Sequence, residues 1–480
     1  MINFILELER NIEDTISTVF KLFLFYRLIT WYGFLFGIPF FFISFMCYRI
    51  IIYKIFKLIS LSPFDNFYLA NNNRNNIIGI MKISNFSFEK IEKLIKEKVI
   101  LKIKKMRFKL KYKFFNYYWE EIKLNEALRT IEKFELEKEN INNYLNNQMA
   151  HYINVFKKLP YEIKIIKYKN LNEGIIIFKF DHIITDSFNI ISLILTLDNN
   201  YSYEMFNNEE KNDEDSIIDK LLNWIYFPFI SIYCIYFLFL NYKKKLFIKN
   251  SNREDNNQYY NIFFGKEHSL IALNKAKKKL NLSNNQLLIS IISNACYNTI
   301  LKNNKDKKLS SIYIQCLFFY FKKNFPIKNT DIIFKNSINF NFHNLYLKDN
   351  ISLNEQMNSI IKNDILHKKI SSSYINLIAL IGEFVSYRFL NIIKKLIYKQ
   401  GEIVIQNFFG SNRKIIIEDY EIENIHIFEN SENGIPFINF LSYNNKFQIN
   451  LTIDNALKLE GTEFINELDN IINLFIKNNE

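Results

Sequence analysis

The spacing of hydrophobic residues predicts alternating strands and helices in the first part of the chain. Residues 75–84 (NNIIGIMKIS), 162–169 (EIKIIKYK) and 174–180 (GIIIFKF) are short runs rich in β-branched and aromatic residues, which predicts strands. Residues 88–100 carry an apolar stripe at helical spacing opposite charged residues, and Ser87 stands where a helix cap is expected. This part of the chain is therefore predicted to be α/β.

The same alternation returns after residue 258. Strands are predicted near residues 311–318, 338–347, 402–407 and 446–454, and helices over residues 284–302 and 463–477. Neither part shows a short repeat period, which argues against a solenoid. Two mixed α/β halves are therefore predicted.

A break in composition separates these two parts. An acidic, Asn-rich stretch begins at Asn207, an apolar segment covers residues 221–242, and a basic polar stretch leads out to residue 258. A chain of 480 residues, 49% of them hydrophobic, is long enough for two halves. We predict an N-terminal segment over residues 1–60, an N-terminal half over 61–200, a linker over 201–257 and a C-terminal half over 258–480.

Two uncharged apolar segments predict contact with a membrane. Residues 31–48 (WYGFLFGIPFFFISFMCY) reach about the minimum length that crosses a bilayer core, and more Lys and Arg residues follow them than precede them. A buried or interfacial helix pair broken at Pro39 is the alternative. Residues 221–242 are also uncharged and are followed by three lysines. A cleaved signal peptide fits poorly, because four acidic residues precede the first apolar segment.

Composition narrows the possible chemistry. The net charge of +13 fits a lysine-rich solvated surface or an anionic partner, and we predict no nucleic-acid partner because the chain has no nucleic-acid motif. The four cysteines form no C-x-x-C pair and the six histidines no H-E-x-x-H motif, so we predict no metal site and a reducing compartment. Neither phosphate-binding glycine motif is present, so nucleotide-driven chemistry is not predicted.

The clearest candidate for chemistry lies where the strand of residues 174–180 ends. The sequence DHIITDS places Asp186 four residues after His182, and a helix is predicted from Ser187 onward. A side chain in such a connection can project into a cleft between rigid elements. His182 is therefore a candidate site residue, with a structural histidine as the alternative. The other histidines are predicted to be structural or surface residues: His151, His268, His343, His367 and His426.

At this motif the chain resembles a known superfamily. DHIITDS is similar to the HHxxxDG motif of the coenzyme A-dependent acyltransferases, and further segments resemble motifs of the wax ester synthase/diacylglycerol acyltransferase family in the same order. These are LSPFDNFYL (61–69), FSFEKIEKLI (86–95), MRFKLKY (106–112), LPYEIKII (159–166), LSNNQLLISIISNAC (282–296), IVIQNFFGSN (403–412) and FLSYNNKFQINLTIDNAL (440–457). The resemblance covers residues 61–200 and 258–480.

The chain departs from the family's pattern at several positions. Asp181 replaces the first His of the motif, Ser187 replaces its Gly, Gln286 replaces the Asp of an Asn-Asp pair, and Phe408-Phe409 stand where the family has Val-Pro. The second His and the Asp of the motif, here His182 and Asp186, are intact. We therefore interpret the changes as drift, with a catalytically inactive relative as the alternative.

The resemblance implies a role for each candidate residue. His182 would be the general base that takes the proton of an attacking hydroxyl, a task to which neutral imidazole is suited. Asp186 would hold His182 in orientation, and the superfamily's direct transfer would need no covalent acyl-enzyme. Ser187, Asn285 and Asn407 would contact the substrate or the oxyanion, with a helix or turn cap as the alternative role of each asparagine.

The same resemblance implies an α/β fold with two similar chloramphenicol-acetyltransferase-like halves, mixed sheets and a tunnel at their interface, together with the N-terminal hydrophobic membrane segment. If both halves build one site, they lie on one side of a membrane. Residues 221–242 would then lie in the membrane interface, form a re-entrant hairpin or cover the tunnel as a lid.

These expectations add up to a membrane-associated O-acyltransferase, at the endoplasmic reticulum and with its catalytic portion in the cytosol. Acyl-coenzyme A would be a co-substrate, and no other cofactor is predicted. The acceptor would be a fatty alcohol, giving a wax ester, or diacylglycerol, giving triacylglycerol. An acyltransferase for another alcohol or amine, and a catalytically silent lipid-binding or scaffold protein, are the alternatives.

Overall fold

The computed structural model describes residues 46–69, 75–113, 116–202, 205, 260–301, 312–321, 338–347, 403–430, 435–455 and 460–479, with isolated residues between 19 and 44 and at 332, 334, 336, 390 and 457. The strands are β1 (Leu58–Ser60), β2 (Asn76–Ser84), β3 (Phe108–Lys113), β4 (Asn116–Glu121), β5 (Ile131–Leu136), β6 (Tyr161–Tyr168), β7 (Glu173–Asp181), β8 (Tyr260–Phe264), β9 (His268–Ser269), β10 (Ile312–Phe321), β11 (Ile338–Leu347), β12 (Ile403–Phe409), β13 (Ile416–Ile417), β14 (Tyr420–Glu429), β15 (Phe437–Tyr443) and β16 (Lys446–Asp454). The α-helices are α1 (Pro63–Leu69), α2 (Phe88–Ile95), α3 (Leu124–Leu128), α4 (Ile141–Ala150), α5 (Ser187–Thr196), α6 (Leu270–Lys279), α7 (Asn284–Cys296) and α8 (Gly461–Asn479).

The described strands of the first large sheet have the order β13-β14-β2-β7-β6-β5; β5 and β6 pair in parallel and the other neighbours are antiparallel. Its strand β7 is covered on both faces. Phe178 and Phe180 belong to the core cluster that includes α5, whereas Ile175 and Ile177 belong to a second cluster with Leu145 of α4. A strand covered on both sides is a continuous apolar run, which explains the sequence of β7.

The second large sheet has the strand order β11-β10-β12-β15-β16-β8, with β9 paired to β16. It is mixed, because β12 runs parallel to both β10 and β15. One face carries a core built with α6, α7 and α8. The opposite face contributes Val404, Phe408 and Leu441 to the core cluster of the first sheet. The main core therefore lies between the two sheets.

Strand β14 comes from the C-terminal part of the chain but pairs with β2 of the first sheet, with Glu429 opposite Ile77. Side-chain amides of the second sheet also hold this strand. Asn439 donates to the carbonyl of Ile427 at 3.0 Å, and Gln448 donates to the carbonyl of Ile425. Sequence order and sheet membership therefore differ, and β14 fixes the position of one half on the other.

Residues 46–56 are helical and lie against the small sheet of β1, β4 and β3. Ile52 packs with Leu58 and Tyr118 in a small cluster, and the hydroxyls of Tyr48 and Tyr118 are 3.0 Å apart. Other large side chains of this helix are exposed, including Met46, Ile50, Ile51, Tyr53, Ile55 and Phe56.

The predicted membrane segments are only partly within the described residues. Residues 221–242 and more than half of residues 31–48 lie outside them. Within the described part of the chain, no helix has the length and apolar character needed to cross a bilayer.

Candidate active site

The connection from β7 to α5 holds the predicted motif in a fixed conformation. Asp181 accepts the backbone N–H of Ile183 at 2.9 Å, which turns the chain at the end of the strand. Asp186 caps α5 by accepting the backbone N–H of Asn189 at 2.9 Å. His182 lies between these two aspartates and is only 2% exposed. Asp186 thus supports the connection at its helical end, and the hydrogen bonds of the imidazole go elsewhere.

In the described part of the chain, the imidazole of His182 makes one ring contact and two hydrogen bonds. The ring of Tyr68 stacks on it with centroids 3.6 Å apart and planes at 8°. Nδ1 lies 3.1 Å from Oδ1 of Asn336, and Nε2 lies 3.0 Å from Oε1 of Glu429. Contacts to one ring face and to both ring nitrogens therefore fix the orientation of the imidazole.

The contacts of Asn336 decide which nitrogen of His182 carries a proton. The amide nitrogen of Asn336 donates to Asp65 at 3.1 Å and to the carbonyl of Ile183 at 3.3 Å. Both partners are acceptors, so the amide oxygen must face His182. Nδ1 of His182 therefore donates to Asn336, and Nε2 is the basic nitrogen.

Asp65, in the LSPFDNFYL segment, holds Asn336 in place. Its two carboxylate oxygens each accept from Nζ of Lys105 at 3.1 Å, and one also accepts from Nε1 of Trp119 at 3.2 Å. The carboxylate is buried, and these donors offset the cost of removing its charge from water. A chain of hydrogen bonds thus runs from Lys105 through Asp65 and Asn336 to His182.

Glu429 stands on the other side of the imidazole, at the end of β14. Its Oε2 accepts from the hydroxyl of Ser187 and from the side-chain amide of Gln406, the latter at 3.0 Å. Ser187, which stands where the resembled motif has glycine, therefore contacts Glu429 in this structure. Ser187 joins the site through Glu429.

The structure does not bring Asn407 to His182. In β12, Val404 and Phe408 face the core between the sheets, as does Gln406, whereas Ile403 and Ile405 face the helices on the other side. Because successive side chains of a strand point to opposite faces, Asn407 points away from His182. Gln406, its neighbour, reaches the site instead.

Asn285 is also away from His182. It lies in the first turn of α7, next to the capping box that Ser283 and Gln286 form at the start of this helix. The buried residues of α7 pack on the face of the second sheet that is opposite Gln406. Gln286 thus serves the helix start.

Several site residues were not predicted. Asp65 and Tyr68 lie inside the LSPFDNFYL segment, but no local pattern shows that Tyr68 stacks on the imidazole or that Asp65 holds Asn336. Asn336, Gln406 and Glu429 come from three distant segments. Correct assignment of the two faces of β12 would have selected Gln406. Within the described part of the chain, no group of three or more His, Cys, Asp or Glu residues could hold a metal ion.

Comparison with known proteins identifies the fold. No protein-family model and no curated protein sequence matches the chain. The wax ester synthase/diacylglycerol acyltransferase from Marinobacter aquaeolei has 12% identity and a TM-score of 0.55 over 87% of this chain and 99% of its own. The trichothecene 15-O-acetyltransferase from Fusarium sporotrichioides has 8% identity and a TM-score of 0.61 over 87% of this chain and 95% of its own.

A starter condensation domain of rhizomide synthetase, in complex with C8-CoA, is similar as well. It has 9% identity and a TM-score of 0.56 over 88% of this chain and 94% of its own. At these identities the likeness shows the fold alone, and to that extent the predicted fold class is confirmed. The chain has the α/β fold of the coenzyme A-dependent acyltransferases and condensation domains, with two chloramphenicol-acetyltransferase-like halves and mixed sheets.

Proposed function

We propose that this protein transfers an acyl group from acyl-coenzyme A to a hydroxyl acceptor, with His182 as the general base. The observation that carries the proposal is the hydrogen bond from Nδ1 of His182 to Asn336, which leaves Nε2 as the basic nitrogen of a rigidly held ring. A base of this kind is what the attack of a hydroxyl on a thioester requires.

The proposed reaction balances without a covalent intermediate on the protein. The acceptor oxygen attacks the thioester carbon while its proton moves to Nε2 of His182. The tetrahedral intermediate then collapses, the carbon–sulfur bond breaks, and the imidazolium returns the proton to the thiolate of coenzyme A. The products are an ester and free coenzyme A, and His182 ends in its starting state. Asp65, Asn336 and Tyr68 hold the ring throughout.

A fatty alcohol or diacylglycerol is the proposed acceptor, giving wax ester or triacylglycerol. The similar structure from Marinobacter aquaeolei is named for these two activities. The apolar surface of residues 46–56 supports association with a membrane, where such acceptors dissolve. Ile51 and Ile55 of that helix are 52% and 66% exposed, and Arg49, Lys54 and Lys57 add positive charge. The endoplasmic reticulum, with the catalytic portion in the cytosol, is the proposed location.

Microsomes from a yeast strain without its own neutral-lipid synthases provide the test. They would contain the wild type, His182→Ala or His151→Ala, and would receive palmitoyl-coenzyme A with hexadecanol or dioleoylglycerol. His151 is an exposed histidine and serves as the matched control. We expect ester from the wild type and the control and none from His182→Ala. If well-expressed wild type makes no ester with either acceptor, the proposed lipid acceptors are wrong.

A further inference from the structure

Glu429 occupies the position from which an acceptor would approach the base. Its Oε1 lies 3.0 Å from Nε2 of His182, although the two residues are 247 positions apart in the sequence. Both residues are buried, each with 2% exposure. Tyr68 stacks on one face of the ring, and Nδ1 donates to Asn336. A group that receives or gives a proton at Nε2 therefore meets Glu429.

The contacts of Glu429 distinguish its two oxygens. Among the residues that the structure describes, Oε2 accepts from the hydroxyl of Ser187 and the amide of Gln406, whereas the hydrogen-bond partner of Oε1 is Nε2. Two lone pairs cannot face each other at hydrogen-bond distance, so one proton lies between Oε1 and Nε2. With that proton on Oε1, both groups are neutral. This arrangement avoids burial of an ion pair and leaves His182 in the form that a general base needs.

Proton counting then discriminates between classes of acceptor. A hydroxyl gives up one proton on attack and the coenzyme A thiolate takes one, so the pair of His182 and Glu429 returns to its starting state. An ammonium acceptor must lose two protons, and one of them would have to leave a site whose two carriers are buried. A neutral hydroxyl therefore fits this pair.

We propose that Glu429, as a neutral acid, is a further catalytic residue that binds the acceptor hydroxyl together with His182. The hydroxyl enters between the two side chains, donates its proton to Nε2 as it attacks, and accepts a hydrogen bond from the protonated Oε1, which keeps its proton. Ser187 and Gln406 hold Oε2 during this step. Glu429 thereby orients the remaining lone pair of the acceptor oxygen toward the thioester carbon. This inference rests on the proposed function and gives its acceptor a chemical class.

Glu429→Gln and Glu429→Leu test the proposal. Glutamine is an isosteric copy of the neutral acid, because its carbonyl can accept from Ser187 and Gln406 while its N–H₂ faces Nε2. Leucine removes the donor. Glu423→Gln, on the same strand but partly exposed and paired with Lys414, is the matched control. Each variant would be assayed with hexadecanol and with hexadecylamine at varied concentrations of acceptor and of palmitoyl-coenzyme A.

We expect Glu429→Gln to keep kcat/KM for hexadecanol within roughly fivefold of the wild type, and Glu429→Leu to lose about 10²-fold with an unchanged KM for palmitoyl-coenzyme A. A Glu429→Gln variant that is folded but as inactive as His182→Ala would overturn the proposal, because an ionised carboxylate would then be needed. Full activity of Glu429→Leu, or faster transfer to the amine by the wild type, would also overturn it. A wild type inactive with both acceptors would contradict the proposed function, and this inference would fail with it.

Discussion

Asn430 accepts the backbone N–H of Asn76 at 2.7 Å, which joins positions 354 residues apart in the sequence. The backbone N–H of Asn430 also donates to the carbonyl of Asn76 at 3.2 Å. These two hydrogen bonds, called the clasp below, join the end of β14 to the start of β2. Because Glu429 precedes Asn430 directly, the clasp also sets the position of the carboxyl group that faces His182.

Replacement of Asn430 by alanine tests this clasp. The change leaves the buried N–H of Asn76 without its side-chain acceptor, and we expect the free energy of unfolding to fall by about 1–3 kcal/mol. Urea denaturation measures the loss. The control is Asn199→Ala, which removes an amide at the surface beside Lys98 and should change stability by less than about 0.5 kcal/mol. Equal losses in the two variants would show that the clasp contributes nothing specific.

Asp65→Asn should reduce activity because Asp65 positions His182 through Asn336. One carboxylate oxygen of Asp65 accepts from Asn336 and both accept from Lys105, whereas an amide has a single accepting oxygen. The hold on the Asn336 oxygen that faces Nδ1 of His182 is therefore weakened. We expect kcat to fall by roughly 10- to 100-fold, as is typical when the support of a site residue is lost. Steady-state kinetics measures it. Asp419→Asn, an exposed aspartate paired with Lys90, is the control and should be unchanged. Unaltered kcat in Asp65→Asn would separate Asp65 from the orientation of His182.

Lys179 should make stability depend on pH. Burial lowers the pKa of Lys179 to about 8, from an ordinary value of 10.5. Between pH 8 and 10.5 the unfolded chain binds more protons than the folded one, so this lysine makes the free energy of unfolding rise with pH, by about 3 kcal/mol over the window. Lys179→Met removes the effect. The difference in unfolding free energy between wild type and variant, measured by urea titration at several pH values, should therefore increase toward pH 10.5. A difference that is constant with pH would contradict the lowered pKa.

The helix of residues 46–56 should contribute to membrane association. Ile51→Lys with Ile55→Lys replaces two exposed apolar side chains on this helix, and burial of each isoleucine in a lipid surface is worth about 1.5–3 kcal/mol. We expect roughly tenfold or greater loss of binding to phosphatidylcholine vesicles in a flotation assay. Ile416→Lys changes an isoleucine that is 42% exposed on β13 and serves as the control. Retained binding of the double variant would exclude this helix as an anchor.

Elements with a regular apolar pattern were predicted well. Strands β2 and β7 and helices α2, α7 and α8 lie close to their predicted ranges, because each buries one continuous face or both faces. Strand β14 was missed although it is 10 residues long. Its register shifts between Ile422 and Asn424, so the alternation of apolar and polar residues is interrupted within the strand.

The sequence by itself determined the two α/β halves and the placement of His182 after a buried strand. These features follow from local spacing, which burial imposes on each element separately. Only the tertiary structure decided what surrounds the imidazole. Asn336 and Glu429 reach it, and Gln406 reaches Glu429, because a strand from the C-terminal part joins the first sheet and because the two sheets share a core. Contacts across 154 and 247 residues leave no local pattern, since a strand that ends in an acid has the same sequence whether or not it faces a base.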